Sequence, residues 1–380
     1  MKSIVIIVNK YPNSVEPNVC VFIQQLVWSL ADIGYECSVI CPMPVNFNKK
    51  YISFPEVRTE SNENGKEIKI YHPKYFSLGQ SGKIAQKSRV SITTKLFERA
   101  VESVIKKVKK PDVLYSHFLC PAGVVAARIG KKYGIHAYMA HGESMYSGDE
   151  KYGNKKLKRD LASLDGVVAV SSQNKDYLVE ANVIDAKKVR VFPNGYRKER
   201  FEKKDKIDAR KKFGFPTDEF IVGFCGSFDD RKGVLRLQEA VNQVPGVFFA
   251  CAGKGQLKPT SNKCLWAQPV NNDELPYFYS ALDAFVLPTQ HEGCCNAIVE
   301  AIACGCPIVS ANRSFNIDIC DKTNSILVNP DSIDEIKDAI IKLRNSEELM
   351  KKLSIGSLRK AENLTLKQRA ANIAQFMNLR

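Results

Sequence analysis

Apolar and polar positions along the chain repeat one theme: a short apolar run, a polar turn, and then a longer segment with apolar residues at helical spacing. Apolar runs at 3–8, 37–41, 67–71, 112–115, 136–140, 167–170 and 189–192 read as strands, buried on both faces where the run is continuous. Between them the spacing predicts helices ending near residue 33 and over 91–110, 121–133, 151–164 and 172–182, with Gly34 and Gly134 as stops and Ser172 as an N-cap. A second series follows the turn signal Pro193-Asn194-Gly195-Tyr196. Its strands are expected at 220–225, 247–252, 264–267, 284–287, 307–309 and 325–328, with helices from near 233 and at 273–282, 296–305, 332–344, 347–362 and 366–379. Strand and helix alternating in this way make an α/β chain with parallel sheets. The polar stretches 43–66 and 73–88 read as long surface loops.

Composition adds limits to that picture. A length of 380 residues suits two or three domains, and 44% apolar residues suffice for their cores. The apolar run 4–8 is too short for a signal peptide and no 18 apolar residues run together, so a cytoplasmic protein is expected. Twelve cysteines fall at strand and helix positions without a C-x2-C pair, which argues against a zinc site or a secreted disulfide framework. Residues 1–195 hold 29 Lys and Arg against 18 Asp and Glu, whereas the remainder holds 27 against 23. A basic first half, with the runs 106–110 (KKVKK) and 155–159 (KKLKR), points to an anionic partner or an anionic membrane surface. No nucleic-acid-binding motif accompanies the charge, so nucleic acid is not expected as a partner.

The chemistry concentrates at 288–310, PTQHEGCCNAIVEAIACGCPIVS. An apolar strand runs into a turn carrying Glu292 and Gly293, and a helix opens near Asn296. Ligands of open α/β sheets bind outside the carboxyl ends of strands, which puts Glu292 in the crevice. The start of the helix offers N–H groups to an anion, and Glu300, about one turn in, is suited to accept hydrogen bonds from a ribose diol. Upstream, the strand 220–225 ends at Gly226 and leads to Arg231-Lys232-Gly233, two cations at a strand-to-helix turn and the outline of a diphosphate clamp. Gly253-Lys254-Gly255 lacks the third glycine of a dinucleotide fingerprint, because position 258 is Lys258. His117 and His141 both fall at carboxyl ends of strands and are expected to face one crevice.

Strand, E-G-x-x-N, apolar turn, Glu and A-x-A-C-G-x-P-I-V together resemble the E-x7-E segment of the retaining glycosyltransferases of family 4, which have the two-domain GT-B fold. The segment from Gly226 to Gly233 matches that family's G-x-x-x-x-R-K-G run, and Pro193-Asn194-Gly195 resembles its interdomain crossover. The resemblance implies two Rossmann-like domains, 1–195 on the acceptor side and 196–365 for the nucleotide sugar, with 366–380 crossing back. It implies a UDP- or GDP-sugar as donor and a lipid-linked glycan of exopolysaccharide or other cell-surface polysaccharide synthesis as acceptor, met at the inner membrane face. Arg231, Lys232, Glu292 and His141 are then the catalytic residues. Gly226, Gly293, Cys294, Cys295, Asn296 and Glu300 bind the donor, and His117 is a weaker acceptor-side candidate. No D-x-D motif occurs, so no metal or other cofactor is expected. The first loop, residues 9–18, carries none of the glycines usual in the family, and 315–321 lacks its Gly-x-x-Glu turn. Alternatives are a GT-B-like sugar-nucleotide epimerase, whose motifs the chain does not resemble, and a catalytically silent glycan-binding subunit.

Overall fold

The computed structural model describes residues 1–46, 48–78 and 86–379. By contact density the chain divides into two compact units, Met1–Phe192 joined by the segment from Arg369 onward, and Pro193–Gln368.

The first unit is built on an eight-stranded sheet in the spatial order Val189–Val191, Gly166–Ala169, His136–His141, Val113–His117, Ser3–Ile7, Glu36–Ile40, Glu67–Tyr71, Val57–Ser61. All neighbours pair in parallel except the last two. Because side chains alternate across a strand, one face collects Leu114, Ala137, Met139 and Val167 under the helices Gln86–Ile105 and Val124–Tyr133. The other face collects Ile4, Ile6, Tyr115, Tyr138 and Val168 under the helix Val21–Asp32 and the C-terminal residues Ala370, Ile373 and Ala374. Each fully buried Val, Ile or Leu side chain here contributes about 1.5–3 kcal/mol of transfer free energy. The return of the C-terminal segment therefore adds an apolar stripe that the first unit would otherwise leave exposed.

Several expectations are corrected. The stretch 43–66 is not all loop: Val57–Ser61 is an antiparallel edge strand on Glu67–Tyr71, and Met43–Pro44 pairs with Lys74–Tyr75. None of the five residues Val57–Ser61 is fully buried, so hydrophobic periodicity carried no strand signal there. Within 73–88, residues 79–85 lie outside the described residues, as do Phe47 and Arg380, and the helix begins at Gln86. That helix stops at Ile105, and the basic run 106–110 follows it as a turn in which the Lys107 and Val108 N–H groups both donate to the Val104 carbonyl. Pro111 disfavours helical geometry at Lys110, and four lysines in five residues repel one another. Finally, 151–164 splits into Gly148–Lys151 and Asn154–Leu161 around Gly153, whose φ is +91°, and the cap of the next helix is Ser171 rather than Ser172.

The second unit carries a six-stranded, wholly parallel sheet in the order Cys264–Gln268, Val247–Ala252, Phe220–Cys225, Ala284–Leu287, Ile308–Ala311, Ser325–Val328. From Phe220–Cys225 the chain moves first toward one edge and then, with Ala284–Leu287, toward the other. The strand order thus reverses between those two strands, and the crevice beyond their carboxyl ends is where such sheets take a ligand. The corresponding reversal in the first unit lies between Ser3–Ile7 and Val113–His117.

Candidate functional site

Two loops leave the switch point of the second unit, and they are locked together. After Phe220–Cys225 comes Gly226, with φ +155°, then the turn to Arg231-Lys232-Gly233 and the helix Val234–Asn242. Gly233 adopts φ +79°, and a Cβ there would stand 2.6 Å from the Pro288 carbonyl oxygen, so only glycine lets the turn lie against the loop after Ala284–Leu287. The Gln290 N–H donates to the Arg231 carbonyl at 2.9 Å across the same contact. On the other side, Gly253 and Gly255 let their loop press on the Gly226–Phe228 turn: a Cβ at Gly253 would meet the Gly226 carbonyl oxygen at 1.9 Å. That packing is a physical reason for glycine at both ends of the G-K-G pattern.

The two cations of this turn converge on one carboxylate. Arg231 Nη1 and Lys232 Nζ each lie 2.6 Å from Glu292 Oε1, and Thr289 Oγ1 donates to the same oxygen at 3.1 Å. Arg231 Nη1 also donates to the His291 carbonyl at 2.6 Å, while Asp229 Oδ1 accepts the Lys232 N–H at 2.9 Å. The Lys232 side chain is only 12% exposed against 36% for Arg231, so Lys232 is the more strongly fixed of the pair. Burial favours the neutral amine, but the neighbouring Cys295 and Glu292 outweigh it and raise the Lys232 pKa, keeping the ammonium charged.

The helix Asn296–Ala303 opens beside this cluster. Cys295 occupies its cap position without a side-chain hydrogen bond to the first turn, and its Sγ lies 3.9 Å from Lys232 Nζ. Asn194 braces the approach: its Nδ2 donates to the Cys294 carbonyl at 3.1 Å and to Asn296 Oδ1 at 2.8 Å. One turn inside, Glu300 accepts a hydrogen bond from the fully buried Tyr279 hydroxyl at 2.9 Å. Burial pushes the Glu300 carboxyl up to about 7, against the opposing pull of Tyr279 and the Arg200 charge. Among the described residues, no group of three His, Cys, Asp or Glu side chains is placed to hold a metal ion.

Residues 19–200 match the family described as Glycosyltransferase Family 4, and residues 205–357 match Glycosyl transferases group 1. The chain belongs to these glycosyltransferases. It is 28% identical over 358 residues to a Bacillus subtilis protein named as the teichuronic acid biosynthesis glycosyltransferase TuaC, which spans 90% of this chain and 89% of TuaC. Among solved structures it is similar to sucrose-phosphate synthase from Thermosynechococcus elongatus, with a TM-score of 0.79 at 18% identity over 100% of this chain and 99% of that one. Anabaena HepE in complex with UDP gives a TM-score of 0.75 at 14% identity over 100% of both chains. The fold is therefore GT-B, as the resemblance implied, and the protein is a glycosyltransferase.

Of the candidate residues, the glycosyltransferase brings Gly226, Arg231, Lys232, Glu292, Cys295 and, through Asn194, Cys294 and Asn296 into one cluster of the second unit, with Gly293 in the connecting turn. Four partners escaped the sequence reading: Asp229, Thr289, Arg200 and Tyr279. Tyr279 sits in an apolar helix and carries no local signal, whereas Asn194 was visible as part of the Pro-Asn-Gly turn but gave no hint of its bonds. In the first unit one expectation is corrected. His117 and His141 do end neighbouring strands, but the pleat sends them to opposite faces of the sheet. His117 follows Val113 and Tyr115 and packs edge-on against Tyr115 and Phe22, with its pKa pushed down to about 3 by burial and by the Arg369 charge. His141 follows Ala137 and Met139, on the face of the other core.

Proposed function

We propose that the protein transfers a sugar, with retention of anomeric configuration, from a UDP- or GDP-sugar to a glycan in cell-surface polysaccharide synthesis, the acceptor being lipid-linked. The observation that carries this reading is the convergence of Arg231 and Lys232 beside the start of the helix Asn296–Ala303, at the carboxyl ends of the two switch-point strands. Breaking the anomeric C–O bond leaves an oxocarbenium-like sugar and a diphosphate gaining negative charge. Two fixed cations and the roughly +0.5 charge of a helix start are preorganised for that charge. The acceptor hydroxyl adds to the same face of the sugar, its proton leaving with the departing phosphate oxygen. Glu300 holds the ribose diol, Glu292 the sugar hydroxyls, and His141 touches the sugar from the first unit. The name of TuaC supports the polysaccharide setting, and HepE bound to UDP supports a uridine nucleotide as the first donor to try.

Thermal-shift measurement against a panel of UDP- and GDP-sugars tests the reading. A cognate donor at 100 times its Kd stabilises the fold by about 2.7 kcal/mol, and the anomer of the product by NMR then reads retention. Stabilisation by none of the nucleotide sugars would remove this donor reading, and stabilisation by glycans alone would favour a glycan-binding subunit.

A further inference from the structure

The strand His136–His141 ends on an imidazole that is 1% exposed. Its Nδ1 is paired with Glu143 Oε2 two residues further on, and its Nε2 has no hydrogen-bond partner among the described residues. A buried ring nitrogen without a partner costs about 1–3 kcal/mol, so its retention at the carboxyl end of a sheet strand points to a ligand group that meets it.

Glu143 is held independently of the histidine. Its Oε1 accepts the N–H of Leu119 at 2.9 Å, from the turn that follows the neighbouring strand Val113–His117. Its backbone carbonyl accepts from Asn174 Nδ2 at 2.8 Å, and Asn174, fully buried, is fixed in turn by the Ser171 hydroxyl at 2.9 Å. Gly142 packs closely here: a Cβ would lie 3.1 Å from both methyl carbons of Val170, a contact that the valine would have to give way to. Burial raises the Glu143 carboxyl, but pairing with His141 and the Leu119 N–H outweigh it and bring the pKa down to about 2. Glu143 is therefore an anion throughout the neutral range, and it is bound to the frame of the sheet rather than to a loop tip.

We propose that Glu143 is a positioning residue that keeps a proton on His141 Nδ1 and turns Nε2 toward the donor sugar. The two ring nitrogens are distinct, and the partner of one sets the state and direction of the other. The proposal rests on the reading of His141 as a sugar contact. It adds that His141, Gly142 and Glu143 act as one unit, with Leu119 and Asn174 as the anchors.

The decisive measurement is a long-range 1H–15N spectrum of the histidine side chains in the uniformly labelled chain. The chain has five histidines, and the His141 signals are assigned by their loss in His141→Asn. Nδ1 protonated in the wild type, with that preference lost in Glu143→Gln and restored in Glu143→Asp, is the expected result. A neutral His141 carrying its proton on Nε2 in the wild type overturns the proposal before any variant is made, and so does a Gln variant with an unchanged spectrum. Turnover with the donor found by thermal shift supplies the second arm. Glu143→Gln should lower kcat about tenfold or more with donor affinity within twofold, and the double variant with His141→Asn should be no slower than His141→Asn alone. Additive losses in the double variant would overturn the shared role. If His141→Asn leaves turnover intact while the spectrum responds to Glu143, Glu143 does set the ring and it is the sugar contact that falls.

Discussion

The two units carry the same kind of switch point but equip it differently. In the second unit both chemical loops are short, contiguous in sequence and cemented by glycine, so that Arg231, Lys232 and Glu292 meet within 2.6 Å and Glu300 follows on the adjoining helix. In the first unit the groups at the carboxyl ends come from distant segments: Asn9 donates to the Cys120 carbonyl, the Leu119 N–H reaches Glu143, and Asn174 holds Glu143 from a third crossover. The first arrangement concentrates charge where a diphosphate would gain it. The second buries neutral or paired groups and fixes orientation.

The largest effect should come from breaking the clamp. Arg231→Ala and Lys232→Ala should each lose about 3 kcal/mol of transition-state stabilisation, a hundredfold or more in rate, with the fold retained. Both cations share Glu292 Oε1, so the double variant should lose less than the sum of the two. Wild-type turnover in either purified single variant would remove the diphosphate role, and strict additivity would remove the coupling.

A smaller effect separates the two glutamates and carries a pH signature. Glu300 has a carboxyl raised to about 7, so in the folded chain it is largely protonated at pH 6 and ionised at pH 8. A ribose diol donates more strongly to the ionised carboxylate, so nucleoside diphosphate affinity should rise as pH passes upward through 7, and Glu300→Gln should flatten the profile. Stability runs the other way. The folded state binds the proton more tightly than the unfolded chain, so the wild type loses stability relative to Glu300→Gln as pH rises from the ordinary carboxylate range through 7. Glu292→Gln should weaken the intact donor while leaving free nucleotide affinity near wild type. Calorimetric titration with nucleoside diphosphate and with intact donor at pH 6 and pH 8 checks the affinities, and thermal unfolding over the same pH range checks the stability; equal losses for both variants with nucleotide alone would sink the assignment.

The contrast also explains what the sequence made legible. Residues 226–233 and 288–310 could be read because strand, turn and helix start follow one another without a break, so the order of residues is already their order in space. Tyr279 and Asn194 are as firmly part of the Glu300 and Asn296 surroundings, yet they arrive from other elements and show only once the chain is folded. In the first unit the strand ends were foreseen, but the faces were not. A single-residue difference in pleat parity, His117 after Tyr115 against His141 after Met139, was enough to reverse the expectation of one shared crevice. The edge strand Val57–Ser61 was lost for a related reason: its stability comes from pairing with Glu67–Tyr71 and from Glu60, which accepts from Tyr11, Gln24, Trp28 and Arg58, not from an apolar face.

The smallest effect concerns the basic excess of the first unit. In a parallel sheet all amino ends share one edge, and the run 106–110, Lys131 and Lys132, and Lys187 and Lys188 all precede strands, so they lie at the edge opposite the switch-point crevice. An enzyme that takes a lipid-linked glycan must bring its crevice edge to the bilayer. At that edge the described residues offer exposed Phe76, Leu78 and Ile92 with Lys74, Lys87 and Lys95 around the first half of the helix Gln86–Ile105, where the Leu78 N–H meets Thr93 Oγ1 at 3.1 Å. Apolar side chains among lysines suit an interfacial contact, and each lysine near an anionic surface contributes about 1 kcal/mol, falling off over roughly 8 Å at physiological salt. Among the described residues no helix is long and apolar enough to cross a membrane, so attachment through this helix would be peripheral. Vesicles of anionic lipid should therefore cosediment with the protein at low salt and release it as salt is added, whereas neutral vesicles should not bind. Phe76→Ser with Lys95→Glu should reduce binding about tenfold, and charge reversal of Lys106 and Lys107 should reduce it less, because those side chains reach the surface only through long-range attraction. Stronger loss from the Lys106 and Lys107 variant would place the docking face at the amino edge, and absence of vesicle binding would leave the lysines as solvated surface and favour an acceptor free in solution.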